Sequence, residues 1–193
     1  MNIDRNLLTE FLEKLMPSFS PRAEAFLKKA TPADLQRVNF RYIFTIDGMT
    51  EISHLIEDFV VANRDMADMH VSFQAFSRFA DQAERYMIIA DAVKRLWLYG
   101  ALDVPPPQLP RTTIVDTGNT PLERYWFVIA YGPGIHMTLL AEEVTSGDRL
   151  PEEPRLYEGI YTFDANLAYK VLSVLHLLFE EQIPAPIPPE LIE

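Results

Sequence analysis

Four strand-like runs followed by one long apolar helix pattern, all between Arg111 and Phe179, constrain the fold of this chain more than any other feature. Residues 111–116 (RTTIVD), 125–131 (YWFVIAY), 137–144 (MTLLAEEV) and 156–163 (LYEGIYTF) are rich in β-branched, aromatic and aliphatic side chains, with turn-forming residues between them. Such side chains suit a pleated, half-buried surface, so the runs predict an antiparallel sheet. Asp164 is placed to cap a helix to about residue 181, along which Leu167, Val171, Val174, Leu175 and Leu178 recur at helical spacing. A helix with one apolar stripe must bury it, and the sheet is the nearest surface. The expected class is α+β: a mostly antiparallel central sheet packed by helices, with a helical N-terminal extension.

That extension is read from residues 2–16, an amphipathic pattern with Leu8, Phe11, Leu12 and Leu15 on one face, ended by Pro17. Residues 20–24 (SPRAE) and 31–34 (TPAD) each place a capping residue before a proline, predicting short helices to about 30 and 38. Residues 39–46 (NFRYIFTI) alternate as a strand or extended segment closed by an Asp47-Gly48 turn. Thr50 then predicts the cap of a helix to about 63 with Ile52, Leu55, Ile56, Phe59 and Val60 on one side. Residues 70–76 (HVSFQAF) have strand period, 77–91 helix period, and 95–102 (RLWLYGAL) the look of a buried strand. Residues 104–110 (VPPPQLP) form an extended connector, because each proline ring fixes φ and removes a donor. Gly132-Pro133-Gly134 predicts a hairpin, but not a tight two-residue primed turn. Residues 145–155 read as a polar surface loop, and 183–193 either hang free or dock as an extended peptide. The organisation is then a helical extension over 1–46, an α+β unit over 47–182 and a proline-rich tail over 183–193, with no internal repeat.

A chain of 193 residues, 48% hydrophobic, can bury a core without staples. Its net charge of −11 opposes phosphate backbones, and Lys28-Lys29 and Lys94-Arg95 are its only adjacent basic pairs, so neither nucleic acid nor an anionic membrane surface is an expected partner. No apolar run approaches the ~20 residues a bilayer requires. The start, MNIDRNLLTEF, carries acids early and no signal-cleavage pattern, so the expected location is cytoplasmic. The absence of cysteine excludes disulfides, thiolate nucleophiles, cysteine-ligated metal and thioether-linked cofactors.

Several constellations invite chemistry, each beside a plainer reading. His54, Glu57 and Asp58 share a helix face at i, i+3 and i+4, which suits a metal or an oriented imidazole, and suits a solvated face equally well. Asp65, Asp68 and His70 form a weaker cluster that also reads as helix capping. Glu142 and Glu143 are adjacent in a strand and point to opposite faces, so they cannot share a proton; an inward one would pair with Arg124 or Arg155. No histidine pair has metal-binding spacing, no phosphate-cradling glycine loop occurs, and Ser146 lacks the setting of a nucleophile. Metal and catalytic residues are therefore expected to be none. Tyr86, Trp97, Tyr99, Trp126 and Tyr161 are candidates to line a pocket for a non-covalent ligand, although such residues are more often plain core.

The segments FQAF (73–76), ERYMIIA (84–90), LWLYG (96–100), LERYWFV (122–128), LLAEE (139–143) and YEGIYTFD (157–164), in that order, make residues 48–179 resemble the DICT sensory domain. That domain stands beside diguanylate cyclase and two-component modules. The resemblance implies an α+β fold and a non-enzymatic input or interaction module with a link to light responses, and carries over no catalytic residue. Where a fused output domain would stand, this chain has its helical extension and tail, so the implied partner is a separate signalling protein or a second copy in a homodimer. The competing reading is a small enzyme whose acid–base site gathers His54, Asp58, His136 and Glu142.

Overall fold

The computed structural model describes residues 42–145 and 154–192. The expected helices within 2–38, and Ser146, lie outside them. Chain order begins with strand β1 (Tyr42–Thr45), helix α1 (Ile46–Ala62), strand β2 (Asp68–Ala75), a 3-10 segment (Phe76–Gln82), helix α2 (Ala83–Ala92) and strand β3 (Arg95–Ala101). Strands β4 (Thr112–Asp116), β5 (Tyr125–Gly132), β6 (Ile135–Glu143) and β7 (Leu156–Thr162) follow, then helix α3 (Ala165–Leu178).

The seven strands make one sheet in the order β1-β7-β6-β5-β2-β3-β4. It is mixed, which corrects the expectation of a mostly antiparallel sheet. β2 pairs parallel to β3, and β3 parallel to β4. Parallel neighbours need a crossover that returns to the starting end. The 3-10 segment and α2 supply the first. The proline run supplies the second, because an extended chain gaining about 3.1 Å per residue can retrace a strand without a helix.

Both faces are covered. On one, α3 packs Leu167, Val171, Val174 and Leu175 against Trp97, Tyr99, Phe127, Ile129 and Ile160. On the other, Met49, Ile56 and Val60 of α1 and Ile89 of α2 meet Met69, Val71, Leu98, Val128 and Leu139. Asp164 caps α3 as expected, its Oδ1 accepting from Asn166 N–H at 2.8 Å and Leu167 N–H at 3.1 Å. Asp164→Ala leaves those donors without the cap and is expected to cost about 1 kcal/mol, read as a lower urea midpoint at unchanged m.

Other boundaries move. α1 starts ahead of the expected Thr50 because Thr45 Oγ1 already accepts from Gly48 N–H at 3.2 Å; Asp47-Gly48 is its first turn. The expected helix over 77–91 is 3-10 in its first half. The β5–β6 hairpin does have a two-residue turn, Pro133-Gly134, between the paired Gly132 and Ile135. Proline fits the first position of a type II turn, and Gly134 has the positive φ, 68°, that the second requires. The tail docks: Ile183 is buried, and Tyr131 hydroxyl donates to Ile187 O at 2.7 Å.

Candidate functional site

A cavity of about 230 Å³ opens between α1, the 3-10 segment and the faces of β2 and β5. Val71, Phe73 and Val128 give it an apolar wall, while Ser53, Glu57, Gln74, Arg78, Trp126 and Arg155 bring polar groups into it. α1 places Ser53 and Glu57 one turn apart, so both point from the same stripe toward the sheet. Trp126 Nε1 donates to Ser53 Oγ at 3.2 Å, and Ser53 Oγ donates to Met49 O at 2.8 Å. Glu57, 2% exposed, accepts from Tyr86 hydroxyl at 2.6 Å and pairs with Arg85, which also reaches Asp58 Oδ1 at 2.6 Å. Burial, followed by the Glu57 carboxylate beside it, holds the Tyr86 phenol well above the ordinary tyrosine range, so it stays a donor.

The β2 side of the cavity is irregular. The β2–β3 register shifts between Ser72 and Ala75, and Gln74 inside the bulge has φ of 64°. Its Oε1 accepts from Arg78, from Arg155 at 2.7 Å and from Tyr157 hydroxyl at 3.2 Å. Glu143 joins the network, accepting from Arg155 Nε at 2.7 Å and Thr145 Oγ1 at 2.8 Å. Burial alone would raise the Glu143 carboxyl, but the hydrogen bonds from Arg155, Thr145 and Gln74 outweigh it and hold the group down at about 2. For Arg78, whose side chain is only partly covered, desolvation and then the neighbouring Arg155 guanidinium pull it below the usual arginine range against the opposing pull of Tyr157, Glu143 and Asp103.

A second cavity, about 290 Å³, lies under the docked tail on the α3 side of β2, β3 and β5, lined by His70, Arg95, Trp97, Tyr131, Ile183 and Ile187. His70 stacks on Trp97 with ring centroids 4.3 Å apart, and its Nδ1 is 2.7 Å from Tyr99 hydroxyl. Burial, then Arg95, lowers His70 to about 3. Trp97 Nε1 donates to Gln182 O at 3.0 Å, tying the tail to the same stack.

The residues singled out by sequence divide between these places. Tyr86 and Trp126 meet in the first cavity with Glu57; Trp97 lines the second; Tyr99 is core beside His70; Tyr161 is half-exposed, stacked on Tyr42 at 5.9 Å. His54 borders the first cavity and Asp58 is solvent-facing. His136 and Glu142 lie on the opposite face of the sheet, six positions apart on one strand, a separation of about 20 Å. The four residues of the enzyme reading are therefore not brought together. Glu142 and Glu143 do point to opposite faces, Glu142 approaching Arg124 at 3.6 Å and Glu143 pairing with Arg155. Asp65 and Asp68 are engaged by Arg111 and Arg95, and among the described residues no three His, Asp or Glu side chains are grouped to hold a metal ion. Gln74 and Arg78 were not singled out; the signal was a glutamine inside an apolar strand, four residues before an arginine.

In overall shape the chain is similar to NucT from Helicobacter pylori, with 11% identity, 75% of this chain and 98% of that one covered, and a TM-score of 0.45. It is also similar to polyphosphate kinase from Porphyromonas gingivalis, with 11% identity, 94% of this chain covered and a TM-score of 0.51. This chain spans about a third of that kinase, 32% of its length, and the likeness is one of fold alone. No curated protein matches the sequence. No helix among the described residues is long and apolar enough to cross a membrane. The sequence of residues 30–144, more than half of the chain, matches the model of the sensory domain in diguanylate cyclases and two-component systems, beginning earlier and ending sooner than the resemblance drawn above. The chain belongs to the DICT family of sensory domains.

Proposed function

We propose that this chain is a non-enzymatic sensory module of the cytoplasm whose input is a small molecule held reversibly between α1 and the sheet, and whose output is contact with a signalling protein or a second copy of itself. The first cavity carries the reading. A void walled by Val71, Phe73 and Val128, into which a carboxylate, a serine hydroxyl and an indole are directed, combines an apolar body with few fixed polar groups, as small-molecule sites do. Packing alone does not call for it, since burying such groups costs free energy that apolar side chains would not incur. For output, Leu55, Tyr161 and Phe163 line an apolar depression of about 330 Å³ where α1 meets β7, and all three are exposed. The unit over 47–182 would carry both functions, with the segments over 1–46 and 183–193 as its attachments.

The test is native mass spectrometry after incubating the purified chain with a metabolite extract. A small mass is expected on the wild type and absent from Ser53→Leu, which fills the cavity, with a thermal melt establishing that the variant is folded. Retention of nothing by the wild type overturns the reading, as does equal retention by the folded variant.

A further inference from the structure

We propose that the ligand of this cavity is a small oxyanion, a carboxylate or phosphate monoester on a short apolar body, whose charged group takes the place of the Gln74 side-chain amide between Arg78 and Arg155. The proposal rests on the cavity reading above and names the class of ligand for it.

The reason lies in the supply of acceptors. One neutral carbonyl oxygen, with two lone pairs, serves three donors: the Arg78 and Arg155 guanidiniums and the Tyr157 hydroxyl. Arg155 has a carboxylate of its own in Glu143. Arg78 has none as close: its hydrogen bonds go to the neutral Gln74 and Tyr157 side chains, and among the described residues no carboxylate lies within ion-pair distance, Glu143 and Asp103 acting on it only from farther away. A guanidinium held on a neutral oxygen at a cavity wall runs against the trend of a chain with net charge −11. Arg78 is also exposed, so the position is reachable from solvent.

Gln74 is poorly suited to stay where it is. A non-glycine residue in the left-handed region costs on the order of 1 kcal/mol. Its N–H donates to Ser72 Oγ at 3.3 Å, and its side-chain amide donates from Nε2 to Glu143 Oε2 at 3.4 Å besides the contacts just described. An oxyanion offers more lone pairs and a full charge, and charge-assisted bonds to guanidinium are roughly twice as strong as neutral ones. Displacement of the amide would free the bulge in β2 to relax, which couples occupancy to the sheet. Phe73, Trp126 and Val128 leave room for a short hydrocarbon body. Glu57 and Asp81 also line the cavity, so a ligand with a second anionic group would meet repulsion there.

Butyrate, butyl phosphate and butyramide have one body and different heads, and titrating each at constant ionic strength while following the Trp126 indole N–H resonance separates the heads. At least one anion is expected to shift that resonance saturably, with butyramide at least tenfold weaker; which anion does so distinguishes carboxylate from phosphate. Arg78→Gln is expected to weaken the anion at least tenfold while a cooperative thermal melt shows that the variant is folded. Gln74→Glu supplies the carboxylate within the chain and is expected to abolish the response. Butyramide binding as tightly as the anions, anion binding unchanged in Arg78→Gln, or no response to any of the three overturns the oxyanion class. The extract experiment is read from retained mass alone, so the cavity reading survives or falls separately.

Discussion

Gly159→Ala is expected to destabilise the protein by about 3 kcal/mol, the upper end of the usual range for forcing extra atoms into a packed interior. Gly159 sits in β7 between Tyr42 of β1 and Ala141 of β6. A Cβ there would lie 2.2 Å from Leu140 O and 2.4 Å from Ala141 Cβ. Leu140 O is backbone and cannot rotate away, so the two strands would have to part at the middle of their pairing. For a chain of this size that corresponds to a melting temperature lower by roughly 6–12 °C. The same substitution at Gly48 has the opposite sign. It lies in the first turn of α1, where a Cβ would meet Thr45 Oγ1 at an ordinary 3.7 Å, so Gly48→Ala removes unfolded-state entropy and is expected to add about 0.5–1 kcal/mol. Melts of both variants against wild type check the pair. Equal melting of Gly159→Ala and wild type would mean that β6 and β7 are not in that close register.

These two glycines mark where the sequence was legible and where it was not. The runs at 111–116, 125–131, 137–144 and 156–163 are all strands, because each carries enough β-branched and aromatic residues to outweigh its local alternatives. Strand direction is not a local property. The parallel pairing of β2, β3 and β4 depends on what the connections do in space, and neither the period of 77–91 nor the prolines of 104–110 state on which side of the sheet the chain returns. Gly48 beside Asp47 has the composition of a turn, yet Thr45 competes as a cap and α1 wins those residues. In β2 the alternation of Val71, Phe73 and Ala75 with Ser72 and Gln74 implies one dry face and one wet. Both are dry, because helices cover both sides. That is why the cavity network around Gln74 was hidden: a bulge inside a strand leaves no periodic trace, and the partners of Gln74 come from as far along the chain as Tyr157.

The stability of the protein is expected to fall between pH 6.5 and about 3 in a way that His70→Gln removes. In the folded chain His70 is buried against Trp97 and Tyr99, and it does not take up a proton until about pH 3, because burial and then the Arg95 guanidinium oppose the charge. In the unfolded chain it titrates near 6.5. A folded value below the unfolded one means full stability above pH 6.5. Below that the unfolded state binds one proton more than the folded state, and ΔG of unfolding drops by up to about 1.4 kcal/mol per pH unit until His70 itself protonates. By pH 5 the loss should reach about 2 kcal/mol. Asp68 and Arg95 line the same cavity as an ion pair, and His70→Gln leaves both in place, so the difference between the two proteins isolates the imidazole. His54, His136 and His176 are the same in both proteins, so the comparison reads His70 alone. Urea titrations of wild type and His70→Gln at intervals from pH 4.5 to 7 should therefore converge as the pH falls, whatever the variant costs at pH 7 through its lost stacking. Parallel stability curves would show that His70 is open to protons in the folded state, and hence that the tail bound through Trp97 and Gln182 does not seal that cavity.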